Sequence, residues 1–485
     1  MLNLLLSLAS GGLLILCFPR FNIAWLAPFA LAPMLVAMAR EHRPGRRFLL
    51  GWSAGVVYWF GVCYWIQFVL AFHGGMGDVV GWLVFLLFCV AKALHMGVFG
   101  LLAGILMRRW WAIPAVSALW VAVEVTHGPL GFAWLALGNA GIDMGIPMRL
   151  APYTGVYGLS FLFLMMAAAM ALAVLRRPRL ELLWLGPVAG LLLLPSLPPA
   201  GPGHDAAVLV QPNISETEQW DLEKLGNTER RMAALTLQSA MEHPELQPSL
   251  LVWPEAPAPF YYAEDARLRN YIEAVTRAAH AYLLTGEVSH TPQGAPLNSA
   301  VLVSPAGNLV SKYDKVNLVP FGEFVPWPFG WLTQKISTEA GDFAAGKRVV
   351  VSAVDAHQIG AFICYESVFP NFVRQFADHG AEVLLNISND GWFGQSAARR
   401  QHLSLVRMRA AENRRWILRA TNDGITAAID PAGRVRQMLP PYVEAAAYTG
   451  FTYIAQKTPY TRFGDWFAFL SASIAILCLV ADRAA

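Results

Sequence analysis

Cys364 is the cysteine of this chain whose surroundings suit catalysis. The other four cysteines lie inside long apolar runs, whereas Cys364 stands in the polar part of the chain, directly after the strand-like run 358–363. Glu366 follows two residues later. A lone cysteine at the end of a strand and beside an acid is a candidate nucleophile. Taken alone, it fits a buried structural cysteine better, because free cysteines are among the most buried residues.

Two more ionisable residues would complete a catalytic set with Cys364. Glu255 follows the strand-like run 250–253, and Lys315 follows the segment 308–312. A glutamate shielded from water can take the proton of a cysteine nucleophile. A nearby lysine stabilises the thiolate, and later the oxyanion that forms when an acyl carbonyl is attacked. These three residue types predict acyl transfer that needs no histidine.

Short apolar runs alternate with helix-like stretches through residues 200–463, after a linker rich in Pro and Gly. Continuous apolar strands that alternate with helices predict an α/β domain whose sheet is covered by helices. Glu255, Lys315 and Cys364 all follow strand-like segments, and strand ends are where sites in such domains are normally built. The strand-like runs are 206–211, 250–253, 282–288, 299–304, 358–363, 382–387, 416–421 and 425–430. The helix-like stretches are 221–241, 264–280, 367–379 and 400–414.

The motifs around the three residues resemble those of the nitrilase superfamily. Residues 253–255 (WPE) resemble its glutamate motif, 312–315 (KYDK) its lysine motif and 364–366 (CYE) its cysteine motif, in that order. The resemblance implies an αββα sandwich.

Two longer stretches resemble one family within that superfamily. Residues 315–323 (KVNLVPFGE) and 388–394 (SNDGWFG) are similar to signatures of the apolipoprotein N-acyltransferases. The resemblance implies two substrates, a phospholipid acyl donor and a diacylated apolipoprotein acceptor. It implies that an acyl chain passes from the phospholipid onto Cys364 as a thioester. The chain would then move to the α-amine of the acceptor's diacylglyceryl-cysteine, giving a triacylated lipoprotein.

The resemblance also implies a role for each motif residue. Glu255 would be the general base, Lys315 the electrostatic stabiliser and Cys364 the nucleophile. Glu323 and Glu366 would be supporting acids, although Glu323 could instead serve only to hold the loop by pairing with Lys315.

Aromatic residues near the motifs have two possible functions. Tyr365 follows the proposed nucleophile, so its backbone N–H would help to form the oxyanion hole. Trp220 resembles a family tryptophan on a loop over the site. The segment 321–331 (FGEFVPWPFGW), together with Trp392 and Phe393, would either dip into lipid or form a packed loop core. Trp253 fits the core better than a substrate contact.

Outside residues 200–463 the chain has the composition of a membrane protein. Residues 1–199 contain 12 Lys or Arg and 5 Asp or Glu, whereas residues 200–463 contain 23 and 26. A helix needs about 20 apolar residues to cross a bilayer. The sequence predicts a polytopic α-helical membrane domain of eight spans, seven in 1–199 and the eighth in 464–485. The apolar runs are 2–18, 22–39, 48–72, 78–107, 109–127, 151–176, 180–198 and 464–482.

Arginines cluster in alternate connections between these runs, which sets the predicted orientation. If the N-terminus is cytoplasmic, all these clusters are cytoplasmic and residues 200–463 lie outside the cytoplasm. With the family resemblance, that location is the periplasmic side of a bacterial inner membrane. Lys92 and Glu124 fall inside two runs, and each could be functional or an interfacial, snorkelling side chain. For Glu124 the second interpretation fits better. The clustered arginines are Arg40, Arg43, Arg46, Arg47, Arg108, Arg109, Arg176, Arg177, Arg179 and Arg483.

Several other classes of function find no support in the sequence. The net charge of +3, without a basic run interleaved with aromatics, argues against nucleic acid. His357 and His402 lack metal-ligand spacing and no Gly-rich phosphate loop is present, so we expect no metal and no cofactor. Nothing requires more than a monomer. Two alternatives stay open: a membrane-anchored nitrilase-type amidase that hydrolyses a small amide, and a membrane scaffold or transporter with an inactive nitrilase-like domain.

Overall fold

The chain divides into two compact units in the computed structural model, which describes residues 1–130, 132–199, 201, 203–256, 258–324 and 343–484. The first unit comprises Met1–Phe72, Met76–Leu197 and Phe463–Ala485. The second comprises His73–Gly75 and Pro198–Arg462. All residues predicted to take part in chemistry belong to the second unit.

The first unit is built from helices, with no strand among its described residues. Small residues let these helices approach closely. For example, a Cβ added to Gly51 would collide with the carbonyl oxygen of Met96 on a neighbouring helix. The α-helices are α1 (Leu2–Cys17), α2 (Ala32–Arg40), α3 (Pro44–Val62), α4 (Trp65–Phe68), α5 (Gly77–Lys92), α6 (Leu94–Leu106), α7 (Ala112–Glu124), α8 (Ala151–Thr154), α9 (Val156–Val174), α10 (Gly186–Gly190) and, near the C-terminus, α16 (Trp466–Ala484).

Some of these helices are long and apolar enough to cross a membrane. Among the described residues, three segments qualify by length and composition: Gly77–Leu106, Val156–Val174 and Trp466–Arg483. The pair Pro44–Val62 and Trp65–His73, bent by 61°, is a fourth candidate. The apolar helices Leu2–Cys17 and Ala112–His127 are shorter. The first unit thus has the helices of a membrane protein, while the number of eight spans stays a prediction.

Two of the predicted runs are not single helices. The run 180–198 consists of the 3-10 helix Arg179–Leu185, the five-residue α10 and the 3-10 helix Leu191–Leu193. The run 22–39 contains the 3-10 helix Ala24–Leu26 before α2 begins. Both runs contain prolines, which lack the N–H that an α-helix interior needs. Apolar composition alone could not reveal these breaks.

Lys92 and Glu124 are buried inside the first unit, so the interpretation of Glu124 as an interfacial or snorkelling side chain was wrong. Lys92 Nζ donates a hydrogen bond to the carbonyl oxygen of Phe132 at 2.9 Å. Glu124 Oε1 accepts hydrogen bonds from Trp120 Nε1 at 3.1 Å and from the Leu137 N–H at 2.7 Å. Buried charged groups persist where the fold supplies such partners, and here it does.

The second unit contains two six-stranded sheets. The strand order is β12-β1-β2-β3-β4-β5 in the first sheet and β11-β10-β9-β8-β7-β6 in the second. In each sheet three neighbouring strands are parallel, β1-β2-β3 and β7-β8-β9. The strands are β1 (Asp205–Gln211), β2 (Leu250–Val252), β3 (Tyr282–His290), β4 (Pro296–Val303), β5 (Leu309–Asp314), β6 (Val351–Val354), β7 (His357–Ile363), β8 (Val383–Ser388), β9 (Ile417–Thr421), β10 (Ala427–Ile429), β11 (Val435–Met438) and β12 (Ala445–Phe451).

Helices cover the outer faces of the two sheets, which gives the predicted αββα layering. Alternate side chains of one strand face opposite sides. In β1, Leu209 packs into the core shared by both sheets, whereas Val208 packs into the core under the helices. The covering helices are α11 (Leu222–Met241) and α12 (Ala266–Ala279) on the first sheet, and α13 (Pro370–Asp378) and α14 (Ala398–Asn413) on the second; the short α15 (Pro459–Phe463) follows β12.

The strands that the sequence did not reveal lie at sheet edges. Each of the eight strand-like runs, the segment 308–312 and each of the four helix-like stretches corresponds to an observed element within about three residues, but β6, β11 and β12 were missed. These three are edge strands. An edge strand is less buried and can carry Ala, Gly or polar residues, as in β12 (AAAYTGF), so it lacks a continuous apolar run.

Candidate active site

Glu255, Lys315 and Cys364 follow strands of both sheets within the second unit. Glu255 lies three residues after β2, Lys315 directly follows β5 and Cys364 directly follows β7. Cys364 begins the 3-10 helix Cys364–Val368 and has a φ of 48°. A non-glycine residue in this left-handed region is uncommon, and such strain is concentrated at functional sites. The backbone conformation of Cys364 is therefore consistent with a functional role.

Lys315 is the buried cation of the site and contacts two carboxylates. Its Nζ lies 3.3 Å from Glu255 Oε1 and 2.9 Å from Glu323 Oε1, and the side chain is 1% exposed. Burial lowers the pKa of Lys315, but the two carboxylates outweigh that effect and hold its pKa above the usual range. Lys315 is therefore a fixed positive charge beside Glu255 and Glu323.

Asn298 is a member of the site that the sequence analysis missed. Its Nδ2 lies 2.7 Å from Glu255 Oε1 and 2.7 Å from Glu323 Oε1, the same two oxygens that Lys315 contacts. The second oxygen of Glu255 accepts a hydrogen bond from the Asn389 N–H at 2.8 Å. Asn298 is the third residue of β4 (PLNSAVLV) and stands beside another polar residue, so nothing in the sequence set it apart.

The Cys364 thiol is buried and interacts electrostatically with both Glu255 and Lys315. Burial raises the pKa of the thiol, Glu255 raises it further, and Lys315 lowers it. The net effect is a pKa well above the usual range for cysteine. A thiol of this kind reacts only when a base removes its proton as it attacks. Glu255 is the carboxylate next to Cys364 that can do so.

Glu366 joins the turn that carries Cys364 to the loop that carries Lys315. Its side chain is fully buried and accepts four hydrogen bonds. Burial raises its pKa from 4.5 to about 7, although these hydrogen bonds act in the opposite direction. The donors are the Tyr313 hydroxyl at 2.6 Å and the backbone N–H groups of Val316 at 2.8 Å, Asn317 at 3.1 Å and Ile363 at 2.8 Å.

A buried polar network supports Cys364 from α14. His402 Nε2 lies 3.0 Å from the Cys364 carbonyl oxygen, and its Nδ1 lies 3.0 Å from Asp390 Oδ1. Arg419 Nη2 pairs with Asp390 Oδ2 at 2.7 Å. Burial raises the pKa of Asp390, but Arg419 and His402 outweigh this and hold its pKa well below the usual range. His402 is thus a core histidine, and its contact with Cys364 was not foreseen.

Metal binding has no candidate site among the residues that the structure describes. In that part of the chain no group of three or more His, Cys, Asp or Glu side chains could hold an ion. His357, the other histidine considered, pairs with Glu382 at 2.7 Å and stacks on Tyr453.

The remaining predicted residues differ in how they relate to the site. The Tyr365 ring is buried and packs edge-on against Phe369. Trp392 lies in the 3-10 helix Asp390–Phe393, directly after Asn389. Trp220 packs against the core under α11 and α12, and no described contact brings it to Cys364. Trp253 is fully buried and donates to Thr236 Oγ1 at 3.0 Å, so its assignment to the core is confirmed. Most of the aromatic segment 321–331 lies outside the described residues.

Family models and known relatives match this chain in both units. A model described as the apolipoprotein N-acyltransferase N-terminal domain matches residues 10–169, and one described as carbon-nitrogen hydrolase matches residues 206–449. Three relatives carry the name apolipoprotein N-acyltransferase. That of Geobacter metallireducens is 32% identical over 99% of this chain and 95% of its own. That of Pseudomonas syringae is 32% identical over 98% and 95%, and that of Azotobacter vinelandii is 34% identical over 98% and 93%.

The chain belongs to the apolipoprotein N-acyltransferase family. The resemblance that was drawn from residues 315–323 and 388–394 is therefore confirmed. Among solved structures, an amidase from Nesterenkonia sp. aligns with 54% of this chain and 94% of its own at 18% identity and a TM-score of 0.39. As a member of the apolipoprotein N-acyltransferase family, the chain matches family models in both its helical unit and its αββα domain. The match of residues 10–169 to the N-terminal domain of that family disfavours an amidase with a simple membrane anchor.

Proposed function

We propose that this protein transfers an acyl chain from a membrane phospholipid, through a thioester on Cys364, to the N-terminal amine of a diacylated apolipoprotein. The observation that carries the proposal is the buried group of Cys364, Lys315 and Glu255 in a member of this family. A thiol, a carboxylate and a fixed cation are the groups that acyl transfer through a thioester requires.

The first half-reaction would acylate the enzyme. The Cys364 thiol attacks the ester carbonyl of the phospholipid while Glu255 takes the thiol proton. Lys315 stabilises the negative charge that develops on the carbonyl oxygen. When the carbon–oxygen bond of the ester breaks, Glu255 returns the proton to the leaving oxygen, which releases a lysophospholipid and leaves the thioester.

The second half-reaction would pass the acyl chain to the acceptor. The neutral amine attacks the thioester, Glu255 takes a proton from the attacking nitrogen, and the carbon–sulfur bond breaks. The proton then returns to the sulfur of Cys364. Glu323 would support Lys315, Glu366 would position the Cys364 turn, and the backbone N–H of Tyr365 would help the oxyanion hole. Trp392 and Trp220 would contact substrate, Trp220 only if its loop rearranges.

The protein would act in a bacterial membrane, with residues 1–199 and 464–485 in the bilayer. The arginine-rich connections support a cytoplasmic N-terminus and a multi-pass arrangement of eight spans. Residues 200–463 would then lie on the periplasmic side, where the acceptor lipoproteins would be met. Nothing in the proposed chemistry needs a cofactor or more than one copy of the chain.

Intact mass spectrometry of the purified protein tests the proposal. After incubation with phospholipid alone, the wild type should gain one acyl chain, and Cys364→Ala should gain none. A diacylated lipopeptide should then discharge the adduct and become triacylated. An adduct that decays in water alone, with free fatty acid as the main product, would favour the hydrolase alternative. Full function of Cys364→Ser in a complementation assay would favour the inactive-domain alternative.

A further inference from the structure

Glu216 is an acidic residue beside the site that the proposed steps do not use. It lies between β1 and α11, and the residue as a whole is exposed. Its carboxylate is nevertheless turned towards the protein, because a Cβ added to Gly391 would collide with Glu216 Oε1. Asn422 Nδ2 also donates to Glu216 Oε1, at 3.4 Å. The carboxylate therefore occupies a defined place on the surface of the second unit.

Two asparagines connect Glu216 to Glu255. Asn422 Nδ2, which contacts Glu216, also donates to Asn389 Oδ1 at 3.3 Å. The Asn389 N–H in turn donates to Glu255 Oε2 at 2.8 Å. Glu216 is thus the exposed end of a short polar path that leads to the proposed base.

Glu216 differs from the other carboxylates of this region in its charge partners. Glu255 pairs with Lys315 at 3.3 Å, and Asp423 pairs with Arg399 at 2.8 Å. Among the described residues, no cation forms an ion pair with Glu216. Enclosure of its carboxylate, followed by repulsion from Asp423, raises the pKa of Glu216 to about 7. A cation that arrives at this position would relieve the repulsion.

We propose that Glu216 binds the α-ammonium group of the acceptor on the Glu255 side of the site, an inference that rests on the proposed acyl transfer. The bound ammonium group then releases one proton to water, and the neutral amine attacks the thioester. The acceptor amine is mostly protonated at neutral pH, because α-amino groups have a pKa of about 7.7–8.0. The reacting group of the acyl donor is an uncharged ester. A carboxylate that accepts a charge-assisted hydrogen bond from the ammonium therefore serves the second half-reaction and not the first.

The test separates the two half-reactions of the full-length protein. Glu216→Gln keeps the size of the side chain and a polar contact for Asn422 but removes the charge. The protein is loaded with phospholipid, freed of excess donor and mixed with a diacylated lipopeptide, and intact mass is followed over time. Thioester formation should stay within about twofold of wild type, whereas discharge at low acceptor concentration should slow roughly tenfold. Saturating acceptor should restore most of the rate.

Two controls make the result specific to the positive charge of the acceptor. Hydroxylamine, which is largely uncharged at neutral pH, should discharge the Glu216→Gln thioester as fast as that of wild type. Glu218→Gln, two residues away in the same segment, removes a carboxylate that pairs with Lys224 at 2.7 Å and should leave both half-reactions unchanged.

Three results would overturn the inference, and they differ from one another. If the lipopeptide discharged the Glu216→Gln thioester at the wild-type rate, the carboxylate would not bind the acceptor. Equal slowing with hydroxylamine, or equal slowing of both half-reactions, would show a structural role instead. If the wild type itself gains no acyl chain, the proposed acyl transfer fails, and the role of Glu216 fails with it.

Discussion

Two carboxylates and two hydrogen-bond donors form a compact group around the proposed base, Glu255. Glu255 Oε1 and Glu323 Oε1 each accept from both Lys315 Nζ and Asn298 Nδ2. Lys315 supplies the charge that holds two like charges together, and Asn298 supplies direction because its amide plane is rigid. Glu323 pairs with Lys315, which is the contact expected if Glu323 serves only to hold the loop. It also shares Asn298 with the proposed base.

Replacing Asn298 tests whether this shared donor positions Glu255. We expect Asn298→Leu to slow thioester formation by roughly 100-fold, because a misplaced general base loses most of its contribution. The free energy of unfolding should fall by about 1–3 kcal/mol, since two buried carboxylates lose a donor. Thioester formation is measured by intact mass and stability by thermal melting. Asn308→Leu, at the exposed far end of the same hairpin, is the control, and equal acylation rates in the two variants would contradict this role for Asn298.

Glu366 connects two elements of the second unit, because its hydrogen bonds join the end of β7 to the loop after β5. These two segments come from different sheets, and each carries one member of the proposed triad. Glu366 is the acceptor in all four of its hydrogen bonds. His402 supports the same turn from α14, through the Cys364 carbonyl oxygen.

The effect of Glu366→Gln should depend on pH. The amide nitrogen of the glutamine cannot accept a hydrogen bond, whereas the hydroxyl oxygen of a protonated carboxyl group still can, so we expect a loss of about 2 kcal/mol in stability at pH 5, together with slower acylation. The pKa of Glu366 is raised on folding, from 4.5 to about 7, so the folded state binds the extra proton and the contribution of Glu366 falls as the pH rises through that range. The difference in melting temperature between wild type and variant should therefore shrink from pH 5 to pH 8. A difference that grows with pH would contradict this assignment.

The distribution of charge along the whole chain is informative about its orientation in the membrane. Positive residues exceed acidic ones in residues 1–199, 12 to 5, and they cluster in alternate connections, whereas residues 200–463 are nearly balanced with 23 and 26. The first pattern supports one orientation in the membrane, and the second is that of a domain in water.

Reporter cysteines test the proposed orientation. Glu242→Cys places an exposed thiol in the second unit, and Arg43→Cys places one in an arginine-rich connection of the first. In spheroplasts, a membrane-impermeant thiol reagent should label Glu242→Cys and not Arg43→Cys. Both should be labelled after the membrane is opened, and the parent protein gives the background. Labelling of Arg43→Cys in sealed spheroplasts would contradict a periplasmic second unit.

Features that depend on local pattern could be predicted from the sequence alone. Buried central strands are continuous apolar runs and amphipathic helices have a helical period, so most elements of the second unit could be predicted, as could the motifs around Glu255, Lys315 and Cys364. Edge strands such as β12 are only partly buried. The run 180–198 is as apolar as a continuous membrane-spanning helix, although prolines interrupt it. Neither can be identified from apolar content alone.

Which side chains share the site depends on tertiary packing. Asn298 and His402 come from β4 and α14, far along the chain from Cys364, and no local pattern marks a residue whose partners are brought to it by sheet packing. The same holds for Glu216, which became relevant because Asn422 and Asn389 connect it to Glu255. The sequence could name residues able to do the chemistry, whereas the packing of two sheets determined the hydrogen bonds and charges that act on them.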